Sequence, residues 1–200
     1  MSKRLEEIIS SYQRAKSQDS WIEHCQSLTN LDDAIRSAAL AKDGRGKIHG
    51  HQRRIKNPET TLGIFSDRLI SRKGEIKEAS SFEALMRIVE DCRVPGVGQV
   101  CCYDTANRIG AHLGLRPERI YLHAGSRVGA QKLIGSAIPS RSIALHELPG
   151  ALQNSSLSPA EIEDLLCVYK NQLGPDQSEV RDSKCKSVAG QETLAACCAA

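Results

Sequence analysis

Aromatic side chains are scarce in this chain, at 4% of 200 residues. A core must therefore be built from Leu, Ile, Val, Ala and Cys, and the scarcity argues against a single-strand binder resting on rows of stacking rings. Nowhere does an apolar run approach the length that crosses a bilayer. The N-terminal MSKRLEEIISSYQRAKS lacks the uninterrupted apolar core of a secretory leader and reads as an amphipathic helix, so a cytoplasmic protein without a membrane partner is expected. No C-x-x-C pair occurs among the eight cysteines. Cys25, Cys92, Cys101, Cys102 and Cys167 lie in apolar or helical stretches, as reduced, core-filling thiols do. A Walker loop, a dinucleotide fingerprint and a G-x-S-x-G elbow are all missing. The net charge of +3 is too small to make the whole surface basic, so any anion-binding face must come from local clustering.

What is present is helical periodicity. Leu31, Ile35, Ala38 and Ala39 follow a Thr29-Asn30-Leu31-Asp32 stretch that resembles a capping box. Leu62, Phe65 and Leu69 share one face of a helix predicted from Pro58 to about Ile70. Ser80-Ser81-Phe82-Glu83 reads as a capping box with Ser80 as the cap, and Phe82, Leu85, Met86 and Val89 form one stripe behind it. Cys102, Ala106, Ile109 and Leu113 repeat the stripe, and Gly114 supplies a stop. Ser158-Pro159-Ala160-Glu161 opens a last helix carrying Ile162, Leu165, Leu166 and Tyr169. Only RIYLH, at Arg119–His123, alternates like a strand. The expected fold class is all-α, a compact multi-helix domain over residues 1–173. A polar segment, 174–200, cannot offset its ordering entropy by burial and is expected to be a flexible tail.

Between two of these helices stands Val94-Pro95-Gly96-Val97-Gly98. The glycines open backbone angles closed to other residues, and the amides of the turn sit at the positive end of the following helix, where a phosphate oxygen is well accommodated. A tight connection between two packed helices would use the same residues. The unit from Ser80 to Leu115 resembles the helix-hairpin-helix motif of DNA-binding proteins. That resemblance implies duplex-backbone binding through the amides of Gly96, Val97, Gly98 and Gln99, with Val97 as an apolar peg between the helices and little reading of base sequence. A second resemblance, to the helix-hairpin-helix base-excision DNA glycosylases, rests on YDTANRIGAHLGL, which is similar to the segment around their catalytic Asp and would give Asp104 that role. The spacing departs from that family, because Asp104 lies six residues beyond Gly98, and Gln99 and Val100 stand where bifunctional members carry a lysine.

Lys42 to Lys56 (KDGRGKIHGHQRRIK) holds six Lys/Arg residues against the single acid Asp43, with three glycines. Such a segment fits a phosphate backbone through Arg45, Lys47, His49, His51, Arg53 and Arg54; a plain solvated loop has the same composition. His49 and His51 could ligate a metal, but no third ligand stands at a familiar spacing, so neither a metal nor another cofactor is expected. Asp104 and Arg108, four apart on a helix, form an ion pair on one face. Downstream, His123, Arg127 and Lys132 cluster near Gly125 and Gly129, where a helix predicted from about Ser126 would offer a second N-terminus to an anion. The expected function is nucleic-acid binding, with double-stranded DNA as the partner, and no oligomeric state is implied. The alternatives are an enzyme on a nucleic-acid or nucleotide substrate, with Asp104, Arg108 and His123 as catalytic candidates beside His49, His51 and Arg127, and a helical protein-interaction module.

Overall fold

The computed structural model describes residues 2–16 and 19–174; most of the tail expected at 174–200 lies outside them. The described chain is mostly helical, in agreement with the expected class. The helices are α1 (Ser2–Ala15), α2 (Ser20–Ser27), α3 (Leu31–Leu40), α4 (Pro58–Ser71), α5 (Lys73–Lys77), α6 (Phe82–Asp91), α7 (Gln99–Leu113), α8 (Ala124–Ile134), α9 (Gly150–Gln153) and α10 (Pro159–Val168). Two short strands, β1 (Ile120–Tyr121) and β2 (Ser142–Ile143), pair antiparallel with Ile120 opposite Ile143. Among the described residues no helix is long and apolar enough to cross a membrane.

Two apolar cores result. The stripes of α3, α4, α6 and α7 meet in the first, where Ile35, Leu62, Phe65, Leu69, Leu85 and Ile109 are fully buried. Leu5, Ile8 and Ile9 of α1 join β1, α8 and α10 in the second, around Ile120, Ile143, Leu152, Ile162 and Leu165. Tyr103 of α7 bridges the two. Its ring lies 6.1 Å from Phe82, 5.4 Å from Tyr121 and 5.0 Å from His123, centroid to centroid.

The caps shift two of the expected starts. Ser81, not Ser80, caps α6, its hydroxyl accepting from the Ala84 amide. Asn30 caps α3 by accepting from Asp33. In both places a polar residue stands next to the true cap, and the one chosen is the one whose extended backbone turns its side chain onto the free amides. The third helix start, α8, falls at Ala124 rather than Ser126, because Ser126 accepts the His123 amide at 3.1 Å and thereby closes the first turn one residue further back. Gly114 ends α7 in the left-handed region at φ 73°, as expected of a stop.

Helices α8 and α10 lie against each other with almost no side chain between them. A Cβ on Gly125 would stand 2.5 Å from Cys167 Sγ, and one on Gly129 within 2.2 Å of the Leu166 carbonyl. Only glycine permits this approach, and it brings the buried face of α10 up to the start of α8.

A polar cleft between the two cores

An open cleft of about 1280 Å³ separates the cores. One wall comes from the basic segment and α7, with His49, His51, Arg54, Val100, Tyr103, Asp104 and Asn107. The opposite wall comes from the start of α8 and from α10, with His123, Ala124, Gly125, Glu163, Asp164 and Cys167. Tyr12 of α1, Lys16 just beyond it, the α2 cap Asp19 and Glu23 of α2 also line it, with Arg116 and Lys170 adding cations. Four candidates from three stretches of sequence, His49 and His51, Asp104, and His123, therefore share one space.

The basic segment is a built loop. Lys42 bridges to Ile48, and the Asp43 carboxylate accepts the amides of Arg45 and Lys47 at 3.0 and 2.9 Å. The Trp21 indole donates to the Lys47 carbonyl at 3.0 Å. Its ring meets the His49 ring edge-on at 4.7 Å, and the His51 ring follows at 5.2 Å. Behind them Gln52, only 1% exposed, joins the two sides of the wall. Its Nε2 donates to Asp104 Oδ2 at 2.8 Å, and its Oε1 lies 2.8 Å from His49 Nδ1. Since the amide nitrogen is spent on the carboxylate, the oxygen accepts, and this shorter contact, against 3.4 Å to the His51 amide, assigns the proton to His49 Nδ1 and leaves Nε2 with its lone pair. One donor atom from each of His49, His51 and Asp104 lies within 4.8 Å of the others. Burial, then the nearby Arg108 charge, hold the His49 imidazole below its ordinary value.

Arg108 does not face the cleft. It is 2% exposed, with Nη2 4.0 Å from Asp104 Oδ2 and Nη1 donating to the Ala38 carbonyl at 3.4 Å. The pair expected on a helix face is thus a buried one, and Arg108 backs Asp104 from inside the protein.

Across the cleft, His123 Nδ1 stands 3.5 Å from Glu163 Oε1. Both residues are buried, and His123 Nε2 and Glu163 Oε1 have no hydrogen-bond partner. Burial pushes the Glu163 carboxyl up to about 8, against a pull from the Ser126 hydroxyl, and pushes the His123 imidazole down. Burial thus favours the uncharged form of both groups. Beside His123 the backbone of Ala124 holds φ at 22°, an angle rare outside glycine, and such strain concentrates at functional sites. Burial likewise raises Asp164, which bonds Tyr12 at the far end.

The glycine turn precedes Val100 in the chain and lies outside the cleft lining. Gly96 sits at φ 94° and needs to be glycine; its Cβ would also meet Thr61 and Ile55 at 3.4 and 3.8 Å. Val97 is buried between the helices, as a peg would be, while Gly96, Gly98 and Gln99 are exposed. Gly98 has ordinary extended angles, and a Cβ there would meet nothing within 4 Å. It caps α7 without a side-chain bond to the first amides. Gln99 opens instead onto a smaller cavity of about 170 Å³ beside Arg87 and Arg141.

The other expected contacts fall elsewhere. Arg45, Lys47 and Arg53 are exposed on the loop, outside the cleft lining, with the Lys47 ammonium 6.0 Å from the Trp21 ring centre. Arg127 donates to the carbonyls of Ile138, Ser140 and Leu122, tying down the chain after α8. Lys132 donates to the Lys170 carbonyl. Sequence reading missed Gln52, Glu163 and Asp164. Glu163 carries the one available signal, an acid bordering the apolar stripe of α10. Compared with protein-family models, curated proteins and solved structures, the chain matches none.

Proposed function

We propose that this protein is a cytoplasmic enzyme that acts on a nucleic-acid or nucleotide substrate, holding phosphates at the cleft lip and carrying out a hydrolytic step inside it. The observation that carries this reading is the convergence of His49, His51, Asp104 and His123 in one cleft. A protein that only grips a backbone has no need to gather three imidazoles and a carboxylate around a space of this size. Arg54 and Val100 line the same cleft, so the basic loop and the first turn of α7 both reach its edge. A phosphate at the lip would meet the free amides of α7 and the loop cations together. Inside, Asp104 would orient or deprotonate water, with the buried His123–Glu163 pair across the cleft as a proton reservoir. Five free cysteines among the described residues are in keeping with a reducing compartment.

A second reading, backbone binding without chemistry, is favoured by Gly98 alone. It is exposed and bare at the start of α7, so a bound backbone could approach its amide closely. One experiment addresses both readings: titration of duplex and single-stranded DNA at rising salt, with product analysis after incubation, for the wild type, Gly98→Val and Asp104→Asn. The expected result is affinity that falls steeply with salt, weakened about 10-fold or more in Gly98→Val, and conversion of substrate that Asp104→Asn abolishes while still binding. Salt-dependent binding without conversion leaves only the second reading. Absence of salt-dependent binding to either DNA overturns the second reading, and, with no conversion of a mononucleotide either, the first as well.

A further inference from the structure

We propose that His49, His51 and Asp104 hold a divalent transition-metal ion of the zinc class. Two imidazoles and one carboxylate are the donor set of an open, catalytic site, with a position left for water. Ligand bonds of about 2.1 Å around a tetrahedral ion set donors about 3.4 Å apart. The three donors here lie within 4.8 Å of one another, and His51, exposed at the cleft wall, needs only a side-chain adjustment to close on the ion.

A second observation points the same way. Gln52 is a buried side chain whose two polar ends are both spent on the other two ligand residues, His49 Nδ1 and Asp104 Oδ2. That is how metal ligands are oriented from behind: the bond at Nδ1 presents Nε2 as the donor, and the bond at Oδ2 leaves Oδ1 for the ion. Arg108, at 4.0 Å, also approaches Oδ2. A histidine and a carboxylate held only for packing would not need a common buried amide. The ion supplies a water of lowered pKa in the cleft that His123 lines from the opposite wall. Its catalytic use rests on reading the cleft as an active site; its binding does not.

The test is titration of the metal-free full-length protein with Co²⁺, followed by visible absorption, and displacement of the cobalt by Zn²⁺. One equivalent should bind and give tetrahedral or five-coordinate d–d bands without a thiolate charge-transfer band, since eight cysteines are otherwise available. His51→Ala should bind at least 100-fold more weakly while keeping the circular dichroism and melting temperature of the metal-free wild type. Gln52→Ala should lose about 10- to 100-fold in affinity. Wild-type-like binding by His51→Ala, a thiolate band in place of the d–d spectrum, or no binding at all overturns the site. One cobalt bound by a protein that ignores nucleic acid would remove the substrate reading and keep the metal. Nucleic-acid conversion that persists in chelator, with no cobalt bound, would do the reverse.

Discussion

Glu163 is where burial and ionisation pull hardest against each other. Its carboxyl has an ordinary value of 4.5 and a folded value near 8. Between these, the folded protein keeps a proton that the unfolded chain has released. The stability drawn from this neutral, buried carboxyl is therefore complete below about 4.5 and is lost as pH rises through about 8, with a slope of at most about 1.4 kcal/mol per pH unit. His123 works in the opposite sense: its value is lowered, so its contribution is lost as pH falls below its ordinary 6.5. Glu163→Gln keeps the shape and removes the titration. Urea unfolding midpoints from pH 5 to 8 should then lose the alkaline decline expected of the wild type, leaving the His123 limb. At this scale the sequence was only partly legible. With about 100° between successive residues, Glu163 falls roughly 60° from Leu166, at the margin of the α10 stripe, so its burial could have been suspected. Gln52 could not: it stands between His51 and Arg53 in a charged run, and nothing in its neighbours marks it as the buried link to a residue 52 positions away.

Helices were far more legible than the loops that line the cleft, because burial repeats at a helical period and hydrogen bonding does not. The stripes of α3, α4, α6, α7 and α10 all face a core. The basic segment, by contrast, reads from composition as a phosphate-binding or plain solvated loop, and nothing in that marks how the Asp43 carboxylate and the Trp21 indole hold it in place. Arg127, grouped with the anion-binding residues by sequence proximity, is used up on three carbonyls. The glycines differ in kind. Gly129 is an internal requirement, since a methyl group would press on the Leu166 carbonyl and force α8 and α10 apart. Gly129→Ala should destabilise the protein by about 1–3 kcal/mol or more, lowering the thermal midpoint by about 2–4 °C per kcal/mol. Gly98→Ala should leave the midpoint unchanged. Equal midpoints for Gly129→Ala and wild type would mean the helices are not held this closely.

Across the whole molecule, the least legible feature was the pairing of the two cores around a common space. His49, Asp104, His123 and Glu163 span more than 110 positions of the chain, and no local spacing connects them. The cleft follows from tertiary placement: Tyr103 links the cores on one side, and the glycine contact of α8 with α10 sets the other. A ligand touching both walls must couple them. A short DNA duplex at about 100 times its dissociation constant should add about 2.7 kcal/mol of stability, a rise of about 5–10 °C in midpoint by scanning fluorimetry. The gain should vanish at high salt and shrink in Gly98→Val; a midpoint indifferent to DNA in low salt would count against occupancy of the cleft. Trp21 has a further use here. As the one tryptophan in the chain, it stands edge-on to His49 with its indole N–H anchored on the loop that carries both histidines. Its emission is quenched by a protonated imidazole or by a paramagnetic ion beside it, and shifts colour when water leaves the cleft wall. The protein thus carries its own optical reporter at the site, and occupancy can be followed in solution without a label.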